Sequence, residues 1–333
     1  MVVAHKERTM RGFLGIVGGM ALFVLASVFA APQTGWEELN EQVIKLYFQG
    51  KYGRAVKLAQ QALDTAERTF GDNHPNTAKS LNNLGLLYKT LGNYTQAEPL
   101  YKRALTVSEK NHGTNHPAVA TALNNLAELA KARSRYTEAE LYYKRALMIR
   151  EKHLGPAHPK VAISLNNLAG LYFARGRYAD AESLYSRALA ICEKTFDPNH
   201  PTVAQILNNL SAVYSSQGRF AEARRFCERA LRIWERKLGP EHPQTATALN
   251  NLAMLCYHRQ KYIEAEQLFI RALKIREKTL GPAHPEVVAV LENTARCCRK
   301  NGNFEQAKEF QQRIEQIKCG KTPTSDKKGC TER

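Results

Sequence analysis

Ten asparagines set in adjacent pairs carry most of the chemistry that this sequence offers. The tetrapeptide Leu-Asn-Asn-Leu occurs at Leu81–Leu84, Leu123–Leu126, Leu165–Leu168, Leu207–Leu210 and Leu249–Leu252. An asparagine inside a helix costs roughly 0.7 kcal/mol relative to alanine, so ten of them need a reason. Each side-chain amide brings two donors and an acceptor oxygen. A regular series of amides suits the N–H and C=O groups of an extended chain. It equally suits bonding from one helix to the next.

The candidate binding residues are therefore Asn82, Asn83, Asn124, Asn125, Asn166, Asn167, Asn208, Asn209, Asn250 and Asn251. Lys89, Lys131 and Phe173 share a column one turn further along, continued by Ser215, Tyr257 and Arg299. Leu86, Glu128, Gly170, Ala212, Met254 and Arg296 form a second column. With Lys79, the two lysines suggest an anchor for an acidic group, whereas Gly170, Phe173 and Ala174 suggest an apolar pocket. These columns would supply specificity.

The spacing that repeats these residues also fixes the elements that hold them. Leu81, Leu123, Leu165, Leu207, Leu249 and Leu291 are each 42 residues apart, and Leu39-Asn40 extends the series backward. His-Pro keeps the same step from His74 to His284, as does Tyr/Phe-x-x-Ala from Tyr52/Ala55 to Phe304/Ala307. Seven units thus run from about Trp36 to about Ile317. Each reads as two helices: Leu81, Leu84, Leu87 and Tyr88 recur at helical spacing, and Gly92-Asn93 ends the run. The next helix begins at Tyr94 and buries Ala97, Tyr101, Ala104 and Leu105. Glu98/Lys102 and Glu140/Lys144 add i,i+4 pairs. Proline after each histidine suits a first helical position, where its missing N–H has no intrahelical partner.

At ~100° per residue, with Leu81 at zero, the buried face centres at roughly 320°. Asn82 and Asn83 then fall at roughly 100° and 200°. The asparagines flank the middle of the face turned away from the core. One reading has both members of each pair lining a groove. The other has one member bonded to a neighbouring helix or loop, setting how repeats stack.

Leu81-x-x-Leu84-Gly85-x-x-Tyr88, followed by Ala97-x-x-x-Tyr101, resembles the tetratricopeptide repeat. "LNNLAGLY", "GRYADAESLYSRAL" and the Gly-Pro-x-His-Pro loop occur in register, and their 42-residue period is similar to that of kinesin light chains. The resemblance covers about residues 36–317. It implies an all-α, right-handed superhelical solenoid in which the asparagine face lines the concave surface. Similar repeats use such asparagines to hold peptide backbone or a terminal carboxylate. The last helix, Phe304–Lys318, carries one apolar stripe and suits a cap with nothing stacked beyond it.

Six histidines at one spacing invite a metal reading. Zinc ligands lie about 2 Å from one ion, and residues on adjacent helices at ~8–10 Å cannot share it. Helix entry explains them better, and no metal or cofactor is expected. Phosphate-binding glycine loops, nucleophile elbows and HExxH motifs are absent from the sequence, so no catalysis is expected. Arg103, Arg145, Arg187, Arg229 and Arg271 read as a solvated outer stripe, lacking the interleaved exposed aromatics of single-strand binders.

Residues 1–30 differ from the rest. Lys6, Arg8 and Arg11 precede an uncharged run from Gly12 to Ala30 that ends Val-Phe-Ala. The pattern is that of a secretory signal peptide, or of an uncleaved N-terminal membrane anchor. Residues 31–318 form the repeat array, and 319–333 a polar tail expected to be disordered. The expected location is periplasmic or secreted, with membrane attachment if the anchor is retained. The chain carries +17, and loss of residues 1–30 leaves +15. Of seven cysteines, Cys227, Cys256 and Cys298 stand where neighbouring repeats have aromatic residues, which predicts buried thiols. Cys319 and Cys330 could pair in an oxidising compartment.

The expected function is a non-catalytic scaffold binding an extended, acidic protein or peptide segment. No specific nucleic acid is expected. The alternative is a solenoid drawn to polyanions or membrane surfaces by its basic charge.

Overall fold

The computed structural model describes residues 35–319, and among these every regular element is an α-helix. The chain divides into two compact units, residues 1–195 and 196–333. The first contains α1 (Gly35–Phe48), α2 (Tyr52–Phe70), α3 (Pro75–Thr90), α4 (Tyr94–His112), α5 (Pro117–Ala132), α6 (Tyr136–Leu154), α7 (Pro159–Ala174) and α8 (Tyr178–Thr195). The second contains α9 (Pro201–Ser216), α10 (Phe220–Leu238), α11 (Pro243–His258), α12 (Tyr262–Leu280), α13 (Pro285–Lys300) and α14 (Phe304–Lys318). Within each unit, every helix packs on its neighbours in sequence. The described residues thus hold seven helix pairs. The signal or anchor segment and residues 320–333 lie outside the described residues.

Each helix pair is punctuated by chemistry visible in the sequence. From α3 onward the first helix of each pair has proline at its first position and histidine as N-cap. Nδ1 of His74, His116, His158, His200, His242 and His284 accepts the backbone N–H two residues on, at 3.1–3.2 Å. One of the unpaired donors at a helix start is thereby satisfied. Second helices close on glycines such as Gly155, whose φ of +82° an L side chain resists. Asp197 stands at that position next to the boundary between the units, its carboxylate accepting from the Asn199 N–H at 2.9 Å.

The period-42 leucines Leu81, Leu123, Leu165, Leu207, Leu249 and Leu291 are all fully buried. Ala97, Ala139, Ala181, Ala223 and Ala265 are buried opposite them, where only a small side chain lets two helices approach. Tyr101, Tyr143, Tyr185, Cys227 and Phe269 fill one recurring core position. Gly85 shows how tight this is: a Cβ there would come within 2.7 Å of the Tyr101 ring. Cys192, Cys227, Cys256, Cys297 and Cys298 are buried thiols, whereas Cys319 is exposed and Cys330 lies outside the described residues. In α14, Ala307 and Ile314 are buried, Phe310 and Ile317 pack on the same core, and Phe304 is exposed. No described helix is long and apolar enough to cross a membrane.

The Arg-Ala-Leu arginines are engaged between repeats. Arg103 pairs with Glu67 at 2.6 Å, Arg145 with Glu109 at 2.7 Å, Arg187 with Glu151 at 2.6 Å and Arg271 with Glu235 at 2.7 Å. Arg313 and Glu277 repeat the contact. Pairs this exposed contribute about 0–1 kcal/mol each. Glu98 and Glu140 hold Lys102 and Lys144 at 2.9 and 2.7 Å, and also bind Arg135 and Arg175 from the turn of the next repeat.

Candidate functional site

From α3 onward, proline and histidine set the start of each first helix, and its leucines fix which face is buried. Together these determine where the paired asparagines emerge. In four of the five pairs the second asparagine reaches the first asparagine of the preceding repeat. In the first unit, Nδ2 of Asn83 donates to Oδ1 of Asn40 at 2.9 Å, Asn125 to Asn82 at 2.8 Å and Asn167 to Asn124 at 2.9 Å. In the second, Asn251 donates to Asn208 at 2.9 Å. The two members of a pair are therefore not equivalent.

Burial follows this division only in part. Asn124, Asn167 and Asn208 are buried, while Asn82, Asn83, Asn125, Asn166, Asn209, Asn250 and Asn251 are half-buried. Asn82 also returns a bond to the Ala78 carbonyl of its own helix at 2.9 Å. Asn166 donates to Asn167 at 3.3 Å, and Asn209 accepts from Gln205 at 3.2 Å. The Asn250 oxygen is buried without a partner. Asn83, Asn125 and Asn251 each use one N–H on the ladder. An amide has one more N–H and an acceptor oxygen to offer.

The columns beside the ladder are chemically mixed. Lys89 is half-buried on the last turn of α3, and burial lowers its pKa, with Lys131 adding to the effect and Glu128 opposing it. Tyr143 donates its hydroxyl to Glu128. Lys131 is half-buried on α5. Its ammonium and the Tyr185 hydroxyl lie 3.5 and 3.3 Å from where a Cβ on Gly170 would stand. The expected apolar pocket at Gly170 is thus lined by polar groups. Phe173 is half-buried and tilts against Tyr178 at 5.7 Å, and Ala174 is exposed. Lys79 is exposed, its ammonium 5.9 Å from the Trp36 ring centre. In the second unit, the Arg296 guanidinium lies 5.3 Å from the Tyr257 ring centre and bonds Asn293 at 2.9 Å.

Sequence reasoning missed three participants in this surface. Asn40 begins the ladder, and only its place in the 42-residue series marks it. Tyr143 and Tyr185 read as core residues, and their rings are indeed buried, but their hydroxyls reach Glu128 and Gly170. A phenol among the residues at a core position is the signal that could have found them.

A tetratricopeptide repeat profile matches residues 46–110, 82–152, 160–226, 204–262 and 246–319. No match was found among curated proteins. Among solved structures, a kinesin light chain of Podosopora anserina with nearly identical TPR-like repeats shares 27% identity at a TM-score of 0.54, covering 62% of this chain and 97% of that one. BtubC (BKLC) of P. vanneervenii is 22% identical at 0.58, with 74% and 96% covered. A Rap protein complexed with Competence and Sporulation Factor is 16% identical at 0.63, with 86% and 76% covered. The last two likenesses concern the fold alone. With paired helices, buried small residues and a repeat profile over most of its length, the chain belongs to the tetratricopeptide repeat family.

Proposed function

We propose that this protein is an exported, non-catalytic scaffold whose asparagine-bearing helix face holds an extended, acidic peptide or protein segment. The observation that carries this reading is the ladder itself. It holds half-buried amides at the repeat spacing, with hydrogen-bonding capacity remaining on Asn83, Asn125 and Asn251. Backbone groups of an extended ligand would use that capacity, and the intervening columns would select its side chains. Lys89 and Lys131 favour acidic ones. Tetratricopeptide repeats bind protein or peptide partners as a family, and the Rap neighbour is a repeat protein seen in a complex. Export rests on the Gly12–Ala30 run with its basic flank.

A polyanion-binding reading draws on the +17 charge. The outer arginines weigh against it, because they are committed to glutamates of the preceding repeat. Crosslinking pull-down from the exported fraction tests the proposal. Asn166→Ala combined with Asn167→Ala, shown by circular dichroism to be folded, should lose partners that the native chain and Leu141→Ser retain. Unchanged capture would defeat the groove reading.

A further inference from the structure

Five arginines stand on α10: Arg224, Arg225, Arg229, Arg232 and Arg236. The last four recur at steps of four, three and four, which puts them on one face of the helix. Only Arg229 belongs to the Arg-Ala-Leu series, and it donates to the Pro198 carbonyl at 3.3 Å. At the place of Arg225 the repeats on either side carry Ser183 and Gln267, and at that of Arg232 they carry Ala190 and Lys274. The repeat itself therefore does not require these two arginines. The acids of the helix are already engaged: Glu222 holds Arg219 at 2.6 Å, Glu228 holds Arg224 at 2.6 Å and Glu235 holds Arg271 at 2.7 Å. Arg225 and Arg232 are exposed and form no ion pair or hydrogen bond among the described residues. Both open onto a cleft of about 620 Å³ that Tyr214 and Phe226 also line. The two rings stack at 5.1 Å with 11° between their planes, and the Arg219 guanidinium lies 4.2 Å from the Tyr214 ring centre. Tyr214 is buried and Phe226 half-buried, so of the two Phe226 presents more ring to a ligand.

Each element of this cleft suits one part of a small ligand. Guanidinium groups match the oxygens of a phosphate in a bidentate fork. A flat aromatic ring stacks on phenylalanine, and the volume is that of a small-molecule site. Arg225 and Arg232 lie two turns apart, about 10 Å along the helix, a gap that two long side chains close around one group. A phosphate monoester, at about −1.5 to −2, matches their two charges. We infer that the cleft is a second binding site, for a small phosphate monoester that carries an aromatic ring, as a nucleoside monophosphate does. The ring stacks on Phe226 and the phosphate sits between Arg225 and Arg232. These arginines belong to a second helix, whereas the paired asparagines belong to first helices, so the site does not depend on the peptide-groove reading.

Isothermal titration calorimetry of the full chain with AMP, adenosine and inorganic phosphate tests it. AMP should bind at least about tenfold more tightly than either fragment. Arg225→Ser with Arg232→Ser should remove the advantage over adenosine. Phe226→Leu, which installs the residue found at Leu184 and Leu268 in the repeats on either side, should remove the advantage over inorganic phosphate. Circular dichroism checks that both chains remain helical. Arg236→Ser, on the same face but outside the cleft, should leave AMP binding unchanged. The inference is overturned if AMP does not bind, if it binds no more tightly than either fragment, or if its binding survives the loss of Arg225 and Arg232. It is also overturned if an oligothymidylate binds more tightly than AMP and weakens equally on Arg236→Ser and on the paired change. That result would assign the arginines to a polyanion track along the whole helix face.

Discussion

Nδ2 of Asn167 donates to Oδ1 of Asn124 across 2.9 Å, joining the buried amides of two successive repeats. Removing the acceptor strands a buried donor, which costs about 1–3 kcal/mol. Asn124→Ala should therefore lower the urea midpoint of unfolding by that much free energy. Asn167→Ala should add little more, since both changes break one bond. Additive losses in the double variant would mean that the two amides act independently.

The histidine caps make stability depend on pH. Each Nδ1 acts as an acceptor, which requires the unprotonated ring nitrogen. Burial lowers the pKa of His116, His158, His200 and His242 from the ordinary 6.5, and at His116 the nearby His112 and His153 add to the effect. A folded pKa below the unfolded one gives stability that is complete above 6.5 and is lost as pH falls through the folded values. Thermal midpoints should drop as pH falls below about 6.5. Replacing the four histidines by asparagine, which caps helices without titrating, should flatten that drop. An equal drop in the substituted chain would assign it to other groups.

Two turn and packing positions should respond in opposite directions. Gly85→Ala drives a Cβ to within 2.7 Å of the Tyr101 ring and should cost about 1–3 kcal/mol. Ser134 has φ of +58° where most repeats carry glycine. Ser134→Gly should stabilise the chain by about 1 kcal/mol. Urea unfolding measures both.

Much of this architecture could be read before any coordinates, because His-Pro, glycine and the leucine period are local signals. Helix ends such as Pro159 and Ala174 follow from the residues at those ends. The role of Asn167 does not. Periodicity gives its face, but whether its amide reaches Asn124 depends on how closely α5 and α7 approach. Arg103 reads as an outer cation for the same reason, since its partner Glu67 belongs to the preceding repeat. Gly170 reads as part of an apolar pocket because its polar neighbours, Lys131 and Tyr185, come from other helices.

The cysteines should differ sharply in reactivity. Burial pushes the thiols of Cys192, Cys227 and Cys298 up to about 12, and those of Cys256 and Cys297 to about 11. Thiolate is the reactive form, so iodoacetamide at neutral pH should spare all five until the chain unfolds. Exposed Cys319 should be modified when reduced. Peptide mapping by mass spectrometry checks the pattern, and rapid native labelling of Cys227 would contradict its packing.

On the proposed function, the asparagine face binds peptide through fixed amides rather than through diffuse positive charge. The most direct measurement is the affinity of a dye-labelled, degenerate ten-residue peptide pool with a central aspartate, between about 50 and 500 mM salt, for the native chain and for Asn166→Ala with Asn167→Ala. Binding through the amides should show a shallow salt dependence and at least about a tenfold loss in the variant. Equal affinity for both chains, with a steep fall as salt rises, would contradict it.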